Sequence, residues 1–302
     1  MKRLSLGIMA LACLCIFSQS GCKKAEAPPA EEKRETLLIG LIPEQNIFKQ
    51  LDRYEPLIEY LSRKSRINIK LIVLTRYGSI IDNFIQAGLD GAIFGSFTYV
   101  LAHARLGVEA IVRPEDEEGK STYYGLILVR KDSGIKNVTQ MKGRRFAFVD
   151  KGTYAGYLFP LRYFKGHGIA DYENYLREVY YTGTHEDAIH DVLHGKADIT
   201  SAKDTVYERM VLDDSKISDE LAILARSPEV PENCLALREG ISEATKNRLK
   251  DILLTMHFDP EGRKILKKFG ANKFIETKDL DYQVVYNYAK EINLDLTNYN
   301  YK

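Results

Sequence analysis

The chain has 302 residues, 45% hydrophobic and 28% charged, which suits a globular protein of one or two domains with ample core. With 43 basic against 42 acidic residues the formal net charge is +1, so no single-sign field points to nucleic acid or to an anionic membrane surface. There is no Trp, but the 19 Tyr bring flat apolar faces with a hydroxyl, most of them expected at core edges and some useful in a small-molecule pocket.

In chain order, Met1-Lys2-Arg3 is a short basic region and Leu4 to Phe17 an apolar run too short to span a bilayer comfortably. Residues 1–21 read as a secretory signal peptide. Ser20-Gly21-Cys22 resembles a bacterial lipobox, in which Cys22 is lipidated and becomes the mature first residue. Gln19 stands where that box usually carries an aliphatic residue, which leaves ordinary signal-peptidase cleavage nearby as the alternative. Residues 22–36 are charged and Pro/Ala-rich without apolar period, as in a disordered tether. Cys13 and Cys15 leave with the signal, and a lipid on Cys22 leaves Cys234 as the remaining thiol, with no intramolecular disulfide. Cys234 lies in an apparent strand with no His beside it, the context of a packing cysteine.

From residue 37 strands and helices alternate. Strands are predicted at 37–43, 67–74, 90–95 and 108–114, with helices at 53–65, 77–88 and 96–107 between them. Pro56 is acceptable in the first of these helices if it sits in the first turn. The polar segment 115–125 reads as a lobe boundary. A second series follows, with strands at 126–132, 144–150, 177–183 and 197–202 and helices at 154–168, 185–196 and 204–212. Residues 221–239 run as two strands around Pro228 and Pro231, a return crossing, and the tail carries helices at 242–257, 260–269 and 282–291. The pattern predicts an α/β fold of two lobes, a clamshell with mostly parallel sheets flanked by helices. The expected division is lobe 1 at 37–122, lobe 2 at 123–226, and a return to lobe 1 with C-terminal helices at 227–302.

Five strand-to-helix joins carry polar residues: Arg76-Tyr77-Gly78-Ser79, Gly95-Ser96-Phe97-Thr98-Tyr99, Gly152-Thr153-Tyr154-Ala155, Thr182-Gly183-Thr184-His185 and Ala202-Lys203-Asp204-Thr205. At any one of them helix capping is explanation enough, and Thr184 with Asp187 is close to a capping box. Five together, in a two-lobe pattern where ligands bind outside the carboxyl ends of strands, point to an anion cradle of backbone N–H and hydroxyl donors. Tyr77, Ser96, Tyr99, Thr153, Tyr154, Ala155, His185, Lys203 and Asp204 are the candidate ligand-binding residues. His185, His190 and His194 are spaced five and four apart without an evident acidic or Cys partner, a poor pattern for zinc. No nucleophile–base order or phosphate-loop motif stands out, so no catalytic residue, cofactor or metal is assigned.

The segments "RYEPLIEYLS", "DGAIFGSFTYVLA", "YYGLILVRKDSGI", "MKGRRFAFVDKGTYAGYLFP", "GTHEDAIHDVLHGKADI" and "DPEGRKILKKFG" resemble the phosphate/phosphite/phosphonate-binding family, solute-binding proteins of ABC importers. The resemblance implies a type II-like periplasmic-binding fold with an oxyanion in the cleft. By matching positions it implies ligand contacts at Tyr77, Tyr99, the Thr153-Tyr154-Ala155 turn and His185, the last favoured as a neutral imidazole by its place at a helix N-terminus. Relatives usually show Ser-Thr-Ser-Gly where this chain has Thr153-Tyr154-Ala155-Gly156, and Gly125 replaces a frequent Ser. Lys203 lies where relatives often carry a polar or acidic residue, and a lysine there suits a further negative charge on the ligand and opposes an aminoalkyl ammonium.

The expectation is therefore a monomeric, non-enzymatic, extracytoplasmic protein, anchored to the membrane by lipid on Cys22. It captures a small oxyanion by lobe closure about hinges near 123–125 and 224–231, and delivers it to an ABC-importer permease. A periplasmic subunit signalling to a membrane sensor is the alternative partner reading, and nucleic acid is not expected.

Overall fold

The computed structural model describes residues 34–74, 76, 77 and 79–301. The expected signal peptide, Cys22 and nearly all of the expected tether lie outside them. Strand β1 (Thr36–Leu41) leads to α1 (Ile47–Ser65), β2 (Asn68–Val73), α2 (Ser79–Gln86), β3 (Gly91–Phe94), α3 (Ser96–Leu106) and β4 (Glu109–Glu115). A two-residue β5 (Thr122–Tyr123) precedes β6 (Gly125–Arg130), β7 (Arg145–Phe148), a π-helical turn (Tyr154–Leu158) and α4 (Phe159–Gly166). Next come α5 (Tyr172–Tyr175), β8 (Glu178–Tyr181), α6 (His185–Leu193), β9 (Ile199–Lys203), α7 (Asp204–Asp213), α8 (Lys216–Glu220) and β10 (Leu221–Arg226). The chain ends through β11 (Val230–Pro231), β12 (Cys234–Leu237), α9 (Glu243–Thr255), α10 (Pro260–Phe269), β13 (Lys273–Glu276) and α11 (Gln283–Glu291). Among the described residues no helix is long and apolar enough to cross a membrane.

The strands form two large sheets, ordered β13-β4-β12-β3-β1-β2 and β10-β6-β9-β7-β8. Pairing is parallel where helices carry the chain back, at β1 with β2 and β3 and at β7 with β8 and β9. It is antiparallel at β12, β13, β6 and β10. The sheets are thus mixed rather than mostly parallel. Strands that enter a sheet from the other lobe, as β6 and β12 do, arrive without a crossover helix and run against their neighbours.

Alternation sends the two faces of each sheet to different cores. Leu37, Ile39 and Leu41 of β1 pack with α1, α9 and α10. In the second sheet Phe146 and Phe148 of β7 join one core while Ala147 between them joins another with α6 and α7. The core that holds Phe146 and Phe148 continues into Phe94 and Phe97 and takes in Tyr282 and Tyr299, so residues from both sheets share it with the tail. The tail reaches the second lobe too: Tyr288 lies 5.5 Å from Tyr154, and Tyr299 donates to the Lys151 carbonyl at 2.9 Å.

Helix α1 begins six residues before the predicted start at residue 53, because Asn46 caps it by accepting from the Phe48 N–H at 3.0 Å. Pro56 therefore sits inside the helix rather than in its first turn. The carbonyl it cannot serve belongs to Asp52, an exposed residue that water can reach. Between the sheets, β5 and β11 lie side by side as an antiparallel ribbon, Tyr123 opposite Val230 and Thr122 opposite Pro231. Ser227 reinforces this crossing by accepting from the Gly125 N–H at 2.8 Å and donating its own N–H to the Gly125 carbonyl at 2.9 Å.

Candidate functional site

All five polar joins stand at the carboxyl ends of strands, and all five contribute to one small cavity. Its lining includes Tyr77 after β2, Gly95 and Thr98 after β3, and Gly152, Thr153 and Tyr154 after β7. His185 after β8 and Lys203 at the end of β9 complete the set, with a free volume of about 10 Å³. That is the room of roughly one water molecule. The lobes are closed on it: the His185 N–H donates to the Glu44 carbonyl at 3.0 Å, and the Asn46 N–H to Glu186 at 2.7 Å.

The sequence Gly152-Thr153-Tyr154-Ala155-Gly156 builds a turn wider than an α-helix. Its first closed bond runs from the Leu158 N–H to the Thr153 carbonyl, five residues back, at 3.1 Å. The Tyr154 and Ala155 N–H groups at its open end have no acceptor within it. Gly156 permits the turn, since a Cβ there would stand 2.4 Å from Val149 Cβ. Gly125 is required by the same packing, because a Cβ would meet Phe159 at 2.7 Å and the Ala155 Cα at 3.1 Å.

His185 is buried, and its Nδ1 accepts from the Lys203 N–H at 3.2 Å. The proton of the neutral ring then resides on Nε2, which is a donor. Burial, aided by Lys203 and Arg209 and opposed by Glu44, pushes its pKa down to about 3, so the ring is neutral at physiological pH. The Tyr77 hydroxyl is buried and finds no hydrogen-bond partner among the described residues. Its ring meets that of His185 edge-on at 5.9 Å. The Thr153 and Thr98 hydroxyls donate to the Asp150 and Gly95 carbonyls at 2.7 and 2.9 Å, which leaves the phenol, the imidazole and the turn's N–H groups as the cavity's donors.

Lys203 behaves differently from the sequence expectation. Its side chain is 2% exposed and its Nζ is held by Glu44 at 3.0 Å, by Asn233 at 3.1 Å and by Glu232. The Tyr123 ring lies 4.4 Å from Nζ. Burial works against the ammonium, but Glu232 and Glu44 outweigh it and hold the pKa above the ordinary value. In turn Lys203 and Arg209 overcome burial at Glu44 and hold that carboxyl down at about 2. One cation faces two carboxylates, so the lysine carries no free charge for a ligand.

Four candidates lie outside the cavity lining, Ala155 among them, whose carbonyl accepts from the Ser201 hydroxyl at 2.6 Å. Tyr99 points along α3 into the core, its ring 4.3 Å from Tyr282 and its hydroxyl 3.3 Å from Asp279; one residue earlier, Thr98 takes the cavity position. Ser96 donates to the Pro231 carbonyl at 2.5 Å and ties α3 to the crossing. Asp204 accepts from the Tyr124 and Thr205 N–H groups at 3.2 and 2.8 Å, and burial with the Glu232 charge raises its pKa to about 6. Tyr154 lines the cavity, but its hydroxyl donates to the Pro228 carbonyl at 3.2 Å.

Sequence reasoning missed Glu44, Thr98, Tyr123, Glu232 and Asn233. The join after β1, Pro43-Glu44-Gln45-Asn46, is of the same kind as the other five and was hidden by placing the start of α1 too late. Glu232 and Asn233 sit in a crossing segment, where no periodicity marks an inward side chain.

A family model described as "ABC transporter, phosphonate, periplasmic substrate-binding protein" matches residues 39–282. The chain is 24% identical over 255 residues to a phosphate-import protein of Mycolicibacterium smegmatis, covering 80% of this chain and 78% of that one. Among solved structures it is similar to a binding protein component of an ABC phosphonate transporter from Pseudomonas aeruginosa, with TM-score 0.80, 21% identity, and 86% and 87% of the two chains covered. It is also similar to a protein from Prochlorococcus marinus in complex with methylphosphonate, with TM-score 0.75, 20% identity, and 86% and 98% covered. These likenesses establish the two-lobe periplasmic-binding fold.

Proposed function

This chain belongs to the phosphonate-binding family of periplasmic substrate-binding proteins of ABC transporters, and on that footing we propose that it holds a small oxyanion of phosphonate, phosphite or phosphate type in the cavity between its lobes. The observation that carries this reading is the Tyr77 hydroxyl, without a partner among the described residues and buried in the same cavity as neutral His185 and the open turn at Gly152, Thr153 and Tyr154. Such donors stabilise anionic oxygens without a neutralising cation, as backbone N–H groups at helix starts do. The role is capture and delivery to an importer rather than catalysis. Entry requires the lobes, 37–122 with 227–302 against 123–226, to part about the β5–β11 ribbon and reclose. At about 10 Å³ the cavity is too tight for any of these anions in its present form, so a bound ligand requires the lobes to close less far, and because Lys203 is ion-paired with Glu44 and Glu232 its charge does not set discrimination against aminoalkylphosphonates.

Calorimetric titration with methylphosphonate, phosphite and phosphate tests this. Tyr77→Phe removes a donor to a charged ligand and is expected to weaken binding by about 1.5–3 kcal/mol, tenfold or more. Wild-type protein that binds none of the three removes the ligand class. The lipid anchor on Cys22 is read from the N-terminal sequence, and Cys22→Ala is expected to move the protein from the membrane to the soluble fraction. Unchanged fractionation would overturn the anchor.

A further inference from the structure

Behind the cavity lies a larger chamber of about 360 Å³, with Glu44 and Asn233 lining both. Apolar side chains, among them Tyr54, Leu57, Leu61 and Phe274, make up much of its wall. Two arginines face it from opposite lobes, Arg53 on α1 and Arg209 on α7.

Neither arginine is satisfied. Arg53 donates from Nε and Nη2 to the Phe269 carbonyl at 3.1 and 2.9 Å, while its Nη1 is buried and has no partner among the described residues. Arg209 has both Nε and Nη2 buried without partners among the described residues, and these two nitrogens form one edge of the guanidinium fork. Thr205, one turn before Arg209 on the same helix, adds a buried hydroxyl that also has no partner among the described residues. Five carboxylates among the described residues line the chamber, Glu44, Asp116, Glu118, Glu208 and Glu232, and none of them accepts from these nitrogens. Glu44 and Glu232 hold Lys203, and Asp116 accepts the Glu118 and Lys120 N–H groups of its own turn. Buried charged donors left unpaired are costly and rare in native proteins. A free fork edge is the geometry that takes a carboxylate in two parallel hydrogen bonds.

We propose that this chamber is a second ligand site, for an organic carboxylate with an apolar body. The carboxylate would pair with the Nε–Nη2 edge of Arg209, with Arg53 Nη1 and Thr205 as further donors, and the body would lie on the Tyr54–Leu57–Phe274 wall. The depressed pKa of Arg209, caused first by burial and then by the Arg53 charge, fits two like charges awaiting an anion. Because the arginines come from different lobes, such a ligand bridges them. Its binding and oxyanion binding each favour the closed form and therefore strengthen one another reciprocally. The site itself stands independently of the oxyanion reading.

The test is calorimetric titration of the mature chain with phenylacetate and 4-phenylbutyrate, using 2-phenylethanol as the uncharged control, with and without methylphosphonate. The expected result is saturable binding of the acids but not the alcohol, weakened at least tenfold by Arg209→Met and by Arg53→Met and tightened by methylphosphonate. Free Arg209→Met protein should melt at the same or a higher temperature, since an unpaired buried charge has been removed. Methylphosphonate affinity in the absence of acid should stay within twofold in both variants. Wild-type protein that binds methylphosphonate but neither acid overturns the proposal, as does equal acid binding by the arginine variants. Acid binding without any methylphosphonate response would support the chamber and refute the oxyanion cradle instead.

Discussion

The Lys203→Met substitution probes the charged partition between cavity and chamber. At 3.0 Å, in surroundings of effective dielectric near 20, the Lys203–Glu44 pair is worth about 5–6 kcal/mol of Coulomb attraction before desolvation is subtracted. Methionine keeps the length and apolar stem but leaves Glu44 and Glu232 facing one another in a buried site. Removing one partner of a buried ion pair costs about 3–5 kcal/mol. Part of this is relieved if the lobes separate and hydrate the carboxylates, so a loss of about 3 kcal/mol in urea unfolding at pH 7 is expected, with a larger radius of gyration in solution scattering. The loss must depend on pH. In the wild type Glu44 is held at about 2 against an ordinary 4.5, so its contribution is present above 4.5 and is lost as pH falls toward 2. The variant lacks that contribution, and its deficit should narrow on acidification below 4.5. A loss under about 1 kcal/mol at pH 7, or a deficit unchanged between pH 7 and pH 3, would refute the assignment of Lys203 as the charge that holds this partition.

Stability should also carry the signature of His185. Its pKa falls from 6.5 to about 3 on folding, so only the unfolded chain binds the proton between those values, and stability declines as pH drops through that window by up to about 1.4 kcal/mol per unit. His185→Gln should flatten this slope relative to wild type, and parallel curves would count against it. Asp204 acts in the opposite sense: raised from 3.8 to about 6, it favours the fold below 3.8 and loses that contribution as pH rises through 6, a trend that Asp204→Asn should remove. Gly156→Ala places a methyl 2.4 Å from Val149 Cβ and is expected to cost about 1–3 kcal/mol in thermal unfolding; a neutral result would mean the π-turn adjusts freely. Tyr99→Phe loses the hydroxyl's contact to Asp279, which lies away from the cavity, and should leave oxyanion affinity within about twofold, whereas a tenfold loss would return Tyr99 to the ligand site.

Local pattern was enough for the elements and for the joins that bear the cavity. Strand alternation, Gly and Pro punctuation and helix-start residues are short-range signals, and they led to Tyr77, Thr153, Tyr154, His185 and Lys203 as residues of one site. The same locality explains the errors. Pro56 argued for a late start to α1 because its cost depends on whether the Asp52 carbonyl can meet water, which only burial reveals. Tyr99 and Thr98 are neighbours at one helix start, and the rotation of α3 against Tyr282, a contact 183 residues away in sequence, decides which of them faces inward. The charge of Lys203 reads as available in the sequence and is compensated in the fold, because Glu44 and Glu232 arrive from two other segments. That Arg53 Nη1 and the Nε–Nη2 edge of Arg209 find no partner among the described residues is likewise a tertiary fact. Sequence determines that a side chain is a donor, but whether its partner is present depends on which distant segments packing brings within 3 Å or so.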